Sequence, residues 1–420
     1  MLKTEARIER VLLIGVIIGS KTEAEVEENL AELELLVKTA GGKVIDSMTQ
    51  KRAVAHKGLY VGKGKADEIK AMIDMLDIDV VVFDDELTAA QTKNLQSIFE
   101  ETKLIDRSQV ILDIFAKHAR TKEAKTQVEL ALLQYQLPRL TRQWTHLERQ
   151  RGGIGTRGGM GETQIEIDRR LIRDKIAKNK EELKKIAEQR NTRRKNRDDI
   201  FKIALVGYTN AGKSSLMNLF SDADVLVEDK LFATLDTTIR NIQVQGYELL
   251  ISDTVGFIRK LPHGLVASFR STLQEVLDAD LILKVIDVSS LNYSAHIDTV
   301  NEVLLEIDAK DRAEVVIFNK IDLVEDASVL KNILKQNPHA IPISVTQQVN
   351  ILELENKIME AVKEKYIEGT LTLKYDQQKL LANLHEATEV LNIEYTDDGI
   401  LVKIKSRRTT FDHFKAQTLK

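Results

Sequence analysis

The segment FKIALVGYTNAGKSS, residues 201–215, constrains this chain more than any other. An apolar strand-sized run ends at Gly207, four residues separate it from Gly212, Lys213 and Ser214, and a helical pattern follows. A strand that turns through glycines into a helix presents bare backbone N–H groups and the positive end of the helix dipole to an anion. Here Lys213 reaches the β and γ oxygens of a bound phosphate chain, and the Ser214 hydroxyl is placed to ligate Mg²⁺. The order strand, loop, helix predicts an α/β sheet built around this loop.

Two further pieces follow at strand ends. After YELLIS comes DTVG, Asp253 to Gly256, in which Asp253 can hold Mg²⁺ through water and the Gly256 N–H can sense a γ-phosphate. After EVVIF comes NKID, Asn319 to Asp322, and after IPI comes SVT, Ser344 to Thr346. In this order the pieces resemble the G domain of translation-factor-like GTPases. The resemblance implies a GTP site made of Gly207, Tyr208, Thr209, Asn210, Ala211, Gly212, Lys213, Ser214 and Ser215, with Asp253, Thr254, Val255 and Gly256 beside the phosphates. It also implies that Asn319 braces the loop and guanine, Lys320 stacks along the base, Asp322 accepts two hydrogen bonds from guanine, Ile321 belongs to the same GTP site, and backbone from Ser344 through Val345 to Thr346 supports guanine O6. Lys213 and Gly256 are the expected catalytic contacts.

The first switch is expected in LFATLDTTIR, where Phe232, Ala233, Thr234, Leu235 and Asp236 approach the nucleotide. Thr234 lies 20 residues beyond Ser214 and is the favoured Mg²⁺ ligand, with Thr238 as runner-up. Many GTPases carry a glutamine just after DxxG to orient the attacking water, and here the residue is Phe257. Its ring either fills the core or leaves a site completed from outside. Asn210 occupies the position at which some related GTPases with a hydrophobic residue there coordinate K⁺.

The rest of the chain divides by pattern. Residues 1–107 alternate strand-like and helix-like runs and predict an α/β domain; 108–199 carry long helical periodicity, broken only by a glycine-rich segment, and predict a helical hairpin with its loop at 149–163. Residues 200–366 form the G domain and 367–420 a small α+β appendage with a helix near 377–391. The formal net charge of −4 hides a segregation: residues 139–197 hold 18 Lys and Arg against 8 Asp and Glu. Trp144, Arg149, Arg151 and Arg157, among six glycines, are the expected RNA contacts, since cations neutralise phosphate and an aromatic ring stacks on a base. A charged, solvated helix face is the competing account of the second helix.

Absence of cysteine excludes disulfides and thiol chemistry. No apolar run reaches the length of about 18 residues that spans a membrane, so a cytoplasmic protein without membrane contact is expected. The segments LYVGKGKADEI, GGIGTRG with GETQIEIDRRLIR, GYTNAGKSSLMN and DTVGFIRKLPHGLVASFRSTLQE are similar to those of HflX, a family of ribosome-associated GTPases. That resemblance implies a monomer that uses GTP to bind the large ribosomal subunit and its rRNA and to split stalled ribosomes. Two departures stand out: Thr237 replaces a proline after FATLD, and RGGMGET is one residue longer than the family's usual RGPGET. The longer tip raises the expectation of resistance to antibiotics bound at the peptidyl-transferase centre or exit tunnel. A ribosome-assembly or RNA-maturation GTPase and a GTP-ordered RNA-binding adaptor remain alternative readings.

Overall fold

Three sheets organise the chain in the computed structural model, which describes residues 8–140, 160–194, 200–221, 231–232, 237–260, 273–290, 292–310, 312–397 and 399–418. The first sheet is parallel, in the order β2 (Lys43–Arg52), β1 (Arg10–Ile18), β3 (Val80–Phe83), β4 (Lys103–Asp106). Both faces of β1 and β3 are buried, which explains their continuous runs VLLIGVII and VVVF. Helices α1 (Glu23–Ala40), α2 (Lys63–Leu76), α3 (Ala89–Phe99), α4 (Arg107–His118) and α5 (Lys122–Gln136) cover it, followed by the long α6 (Met160–Arg194). Reciprocal capping fixes two starts: Thr22 with Glu25 opens α1, and Thr88 with Gln91 opens α3.

The second sheet has six strands in the order β10 (Ile341–Pro342), β9 (Glu314–Asn319), β8 (Leu281–Asp287), β5 (Phe201–Gly207), β7 (Tyr247–Asp253), β6 (Thr238–Val244). All neighbours are parallel except the β6–β7 pair. The phosphate loop leaves β5 at the centre of this sheet, and the carboxyl ends of β7 and β9 deliver DTVG and NKID to the same edge, where open α/β sheets hold ligands. The third sheet is antiparallel, β11 (Tyr366–Leu373), β13 (Gly399–Arg407), β12 (Glu389–Thr396). It is tied to the second by Asp280, which accepts from Lys365 Nζ at 2.9 Å and Arg407 Nη2 at 2.8 Å.

By contact the chain forms two compact units. One holds residues up to Ala187 with Leu231, Phe232, Ile258, Arg259 and Lys260; the other holds the second and third sheets. No helix among the described residues is long and apolar enough to cross a membrane.

Two local expectations are corrected. The helical pattern after Ser108 is two helices, because Ala119 is extended (φ −61°, ψ 114°) and the Thr121 side chain caps α5 by accepting from the Ala124 N–H at 3.1 Å. The helix expected at 377–391 ends at Ala387; Thr388 is extended, and the β-branched residues that follow enter β12.

Candidate functional site

Backbone geometry shapes the phosphate loop. Asn210 and Gly212 have positive φ, 61° and 94°, and a Cβ on Gly212 would stand 2.2 Å from Asn319 Nδ2. A Cβ on Gly207 would stand 2.2 Å from the Val285 carbonyl oxygen, so β5 and β8 approach closely only because that residue is glycine. Lys213 is 6% exposed, and its Nζ donates to the carbonyls of Tyr208 at 2.8 Å and Gly207 at 3.1 Å. Burial pushes its ammonium down to about 8, against the opposing pull of Asp253.

Ser214 Oγ donates to Asp253 Oδ2 at 2.6 Å, so a hydroxyl and a buried carboxylate already converge. Both are hard oxygen donors suited to Mg²⁺. Thr254 is buried and donates to the Leu205 carbonyl at 2.7 Å, holding DTVG onto β5. Val255 is buried as well. Gly256 lies against the loop: a Cβ there would meet Thr209 Cα at 2.8 Å and Lys213 Nζ at 3.1 Å. Phe257 is 1% exposed and its backbone pairs with the loop on both sides, donating to the Gly207 carbonyl at 3.1 Å and accepting from the Thr209 N–H at 2.8 Å. The structure therefore places that ring in the interior as packing.

At the base end, Asn319 Nδ2 donates to the Ala211 carbonyl at 2.9 Å and its Oδ1 accepts from the Val345 N–H at 3.2 Å. One side chain thus ties the phosphate loop to the SVT loop. Ser344 is buried and its Oγ accepts from the Gln347 N–H at 3.0 Å, while Thr346 is exposed. Ile321 and Asp322 sit in a short 3₁₀ turn, Ile321–Leu323, whose start is Lys320 with φ 65°. Ser215 lies in the first turn of the helix Lys213–Ser221.

Sequence reasoning missed two supports. Asp287, at the carboxyl end of β8, pairs with Lys320 at 2.7 Å, and the ring of His296 stacks on Tyr208 with centroids 3.9 Å apart. The only local signal was an acidic residue ending a strand, in VIDVSS.

The switch candidates divide. Thr238 opens β6 and is paired in register with Asp253, whereas Ala233, Thr234, Leu235 and Asp236 lie outside the described residues, as do Trp144, Arg149, Arg151 and Arg157. Phe232 is placed in the first unit, its ring edge-on to Phe115 at 4.6 Å and its carbonyl 2.8 Å from His118 Nδ1. A cavity of about 510 Å³ in that unit, lined by Asp106, Tyr135 and Arg139 among others, holds none of the candidate nucleotide residues.

Over 388 residues the chain is 45% identical to the GTPase HflX of Flavobacterium psychrophilum, an alignment that covers 87% of this chain and 93% of the relative. The chain belongs to the HflX family of GTPases. The HflX GTPase of Escherichia coli K12 is 42% identical over 376 residues, covering 89% and 88% of the two chains. Residues 27–116 match the family described as GTP-binding GTPase N-terminal, 118–197 the GTP-binding GTPase middle region, and 202–320 the 50S ribosome-binding GTPase. Among solved structures, a GTP-binding protein from the archaeon Sulfolobus solfataricus in complex with GDP is 25% identical with a TM-score of 0.44, covering 85% of this chain and 99% of that one. As an HflX family member the chain is an enzyme that hydrolyses GTP.

Proposed function

We propose that this HflX GTPase binds the large ribosomal subunit and its rRNA in the GTP state and separates the subunits of stalled ribosomes. The observation that carries the reading is the match of residues 202–320, the segment holding the loop, DTVG and NKID, to the family described as 50S ribosome-binding GTPase. Ser214 directly and Asp253 through water would hold Mg²⁺, with Thr234, or Thr238, completing the set. When bound, the ion neutralises charge on the β and γ oxygens. Lys213 turns its ammonium from the loop carbonyls to the phosphates, and the Gly256 N–H reports the γ-phosphate. Asn319, Lys320 and Asp322, with Ser344 to Thr346, select guanine.

A buried Phe257 cannot orient water, so intrinsic turnover is slow and the ribosome stimulates it. K⁺ near Asn210 would supply part of the charge that an arginine finger otherwise brings. Hydrolysis faster in K⁺ than in Na⁺ at equal ionic strength supports that part, and equal rates with and without large subunits remove it.

The deciding experiment is sedimentation of intact ribosomes with the protein and GTP or a non-hydrolysable analogue. Subunit separation that needs the nucleotide is expected. GTPase stimulation by precursor RNA alone would favour an assembly role, and no turnover above background with any ribosomal particle would favour an adaptor. The RGGMGET segment, one residue longer than the family's usual form and running from residue 157 into the first turn of α6, supports a role in tolerance to drugs at the peptidyl-transferase centre or tunnel; deleting Met160 should then abolish drug tolerance in cells while ribosome splitting persists.

A further inference from the structure

Lys320 adopts the left-handed backbone region, φ 65° and ψ 34°, although it carries a long side chain. A residue other than glycine keeps that conformation only where its surroundings hold it there. The peptides on either side are both tied: the Asn319 carbonyl accepts from the Val288 N–H at 3.1 Å, and the Ile321 N–H donates to the Ile343 carbonyl at 3.3 Å. The Lys320 side chain therefore leaves the NKID segment in a fixed direction. What the backbone does not fix are the torsions beyond Cβ, and a lysine loses much rotamer freedom when they are ordered.

Asp287 orders them. It ends β8 in register with Asn319, the residue just before Lys320, and its two carboxylate oxygens have separate tasks. Oδ1 accepts from the Ser289 N–H at 3.0 Å and from Ser289 Oγ at 2.5 Å, which orients the carboxylate. Oδ2 is left for the Lys320 ammonium, 2.7 Å away, and among the described residues that ammonium has no other ion pair. The two side chains are 19% and 23% exposed, and a pair within reach of water adds little to the stability of the fold. Its effect is on order. The carboxylate is set by a turn within its own loop, Asp287 to Ser289, that needs no nucleotide, and it draws a flexible stem to one place.

We propose that Asp287 is a positioning residue for guanine nucleotides: it orders the Lys320 side chain before the nucleotide arrives, so that the base is met by a stem already in place. The role rests on the reading above in which Lys320 lies along the base. A side chain ordered in advance spares the binding step the cost of ordering it, and affinity rises accordingly. The gain belongs to the base end of the site, because Asp287 makes no hydrogen bond or ion pair with the phosphate loop or DTVG among the described residues. A pair that merely closed the loop after β8 would act on every ligand alike.

The test uses the full chain with Asp287→Asn, Lys320→Met and the double variant, and Asp287→Ala as a second variant expected to behave as Asp287→Asn does. Asparagine keeps an oxygen for Ser289 but offers the ammonium no charge, and urea unfolding establishes that each protein is folded. Displacement of a fluorescent GDP analogue at fixed Mg²⁺ gives affinities for GDP and for two ligands without a base, ribose 5-diphosphate and pyrophosphate. We expect Asp287→Asn to weaken GDP about tenfold, the scale of ordering one long side chain, and to leave both base-free ligands within about twofold. In the Lys320→Met background the same change should cost GDP less than about twofold, since the partner through which Asp287 acts is gone. An unchanged GDP affinity in Asp287→Asn overturns the inference. So does an equal loss for GDP and pyrophosphate, or an undiminished loss in the Lys320→Met background. If Lys320→Met weakens GDP alone while Asp287→Asn weakens nothing, the base contact stands and the positioning role fails. If Lys320→Met leaves GDP affinity as it was, Lys320 is no base contact, and the role of Asp287 falls with it.

Discussion

Asn319 and Ala211 are joined by a hydrogen bond of 2.9 Å from the buried Nδ2 to the loop carbonyl, and through it the NKID segment is tied to the loop that follows β5. The second bond of the same side chain, from the Val345 N–H to Oδ1 at 3.2 Å, extends the brace to the SVT loop. Replacing Asn319 by alanine leaves a buried carbonyl and an amide N–H unsatisfied, each worth about 1–3 kcal/mol. Asn319→Ala should lower the stability of the nucleotide-free chain and weaken GDP binding, since both loops lose their common support. Urea unfolding and calorimetric titration with GDP check this; an unchanged GDP affinity would contradict the brace.

Asp322 stands in the turn Ile321–Leu323, outside the Asn319 brace, and its proposed role as acceptor for the base can be tested separately from that brace. Asp322→Asn exchanges one acceptor for a donor. The variant should lose guanine selectivity and gain affinity for xanthine nucleotides, with little change in stability. A competition assay between GTP and XTP decides it, and retained guanine preference would remove Asp322 as the base reader.

Local spacing made much of this site legible in the sequence. Lys213 and Ser214 are set by their distance from Gly207, and Asp253 and Asn319 each end an apolar run, so strand direction alone carries them to the edge where the loop emerges. Contacts made across the fold left no such trace. Asp287 meets Lys320, and His296 meets Tyr208, only because β8 and the helix Tyr293–Glu306 pack beside β9 and β5. Thr121 looks like any residue of a helical run until its hydroxyl caps α5. The fate of Phe257 was undecidable from its position after DxxG, because a phenyl ring suits a core and a gated site equally; only its burial distinguishes them.

In the first unit, Arg107 is 1% exposed and donates to Asp84 Oδ1 at 2.7 Å, to Glu32 Oε2 at 2.5 Å and to the Asn29 carbonyl at 3.3 Å. Lys260 shares Asp84 and pairs with Asp85 at 2.7 Å. Removing the guanidinium takes a buried cation from Asp84 and Glu32, and breaking a buried pair in this way costs about 3–5 kcal/mol. Arg107→Ala should therefore unfold the first unit at markedly lower urea, whereas Arg107→Lys, which keeps the charge but loses the fork, should fall between. Unfolding followed by circular dichroism measures both, and a loss below about 1 kcal/mol, the scale of an exposed pair, would mean that water already reaches the cluster.

Lys213 makes nucleotide binding depend on pH. Burial holds its ammonium at about 8 in the nucleotide-free fold, below the value of about 10.4 in an unfolded chain. Between these two pH values the unfolded chain carries the extra proton, so stability rises with pH through that window and the burial penalty is present in full below it. Binding runs the other way. Nucleotide phosphates require the charged ammonium, so above about pH 8 each binding event must take up a proton that the free site has lost. The dissociation constant for GDP should be flat below that value and rise above it, approaching tenfold per pH unit. Calorimetric titrations at pH 8.5 in two buffers of different ionisation enthalpy should show more than half a proton taken up, and Lys213→Ala should abolish nucleotide binding while leaving the first unit folded. Parallel heats in the two buffers, meaning no proton uptake at pH 8.5, would show that Lys213 is still fully charged in the free site.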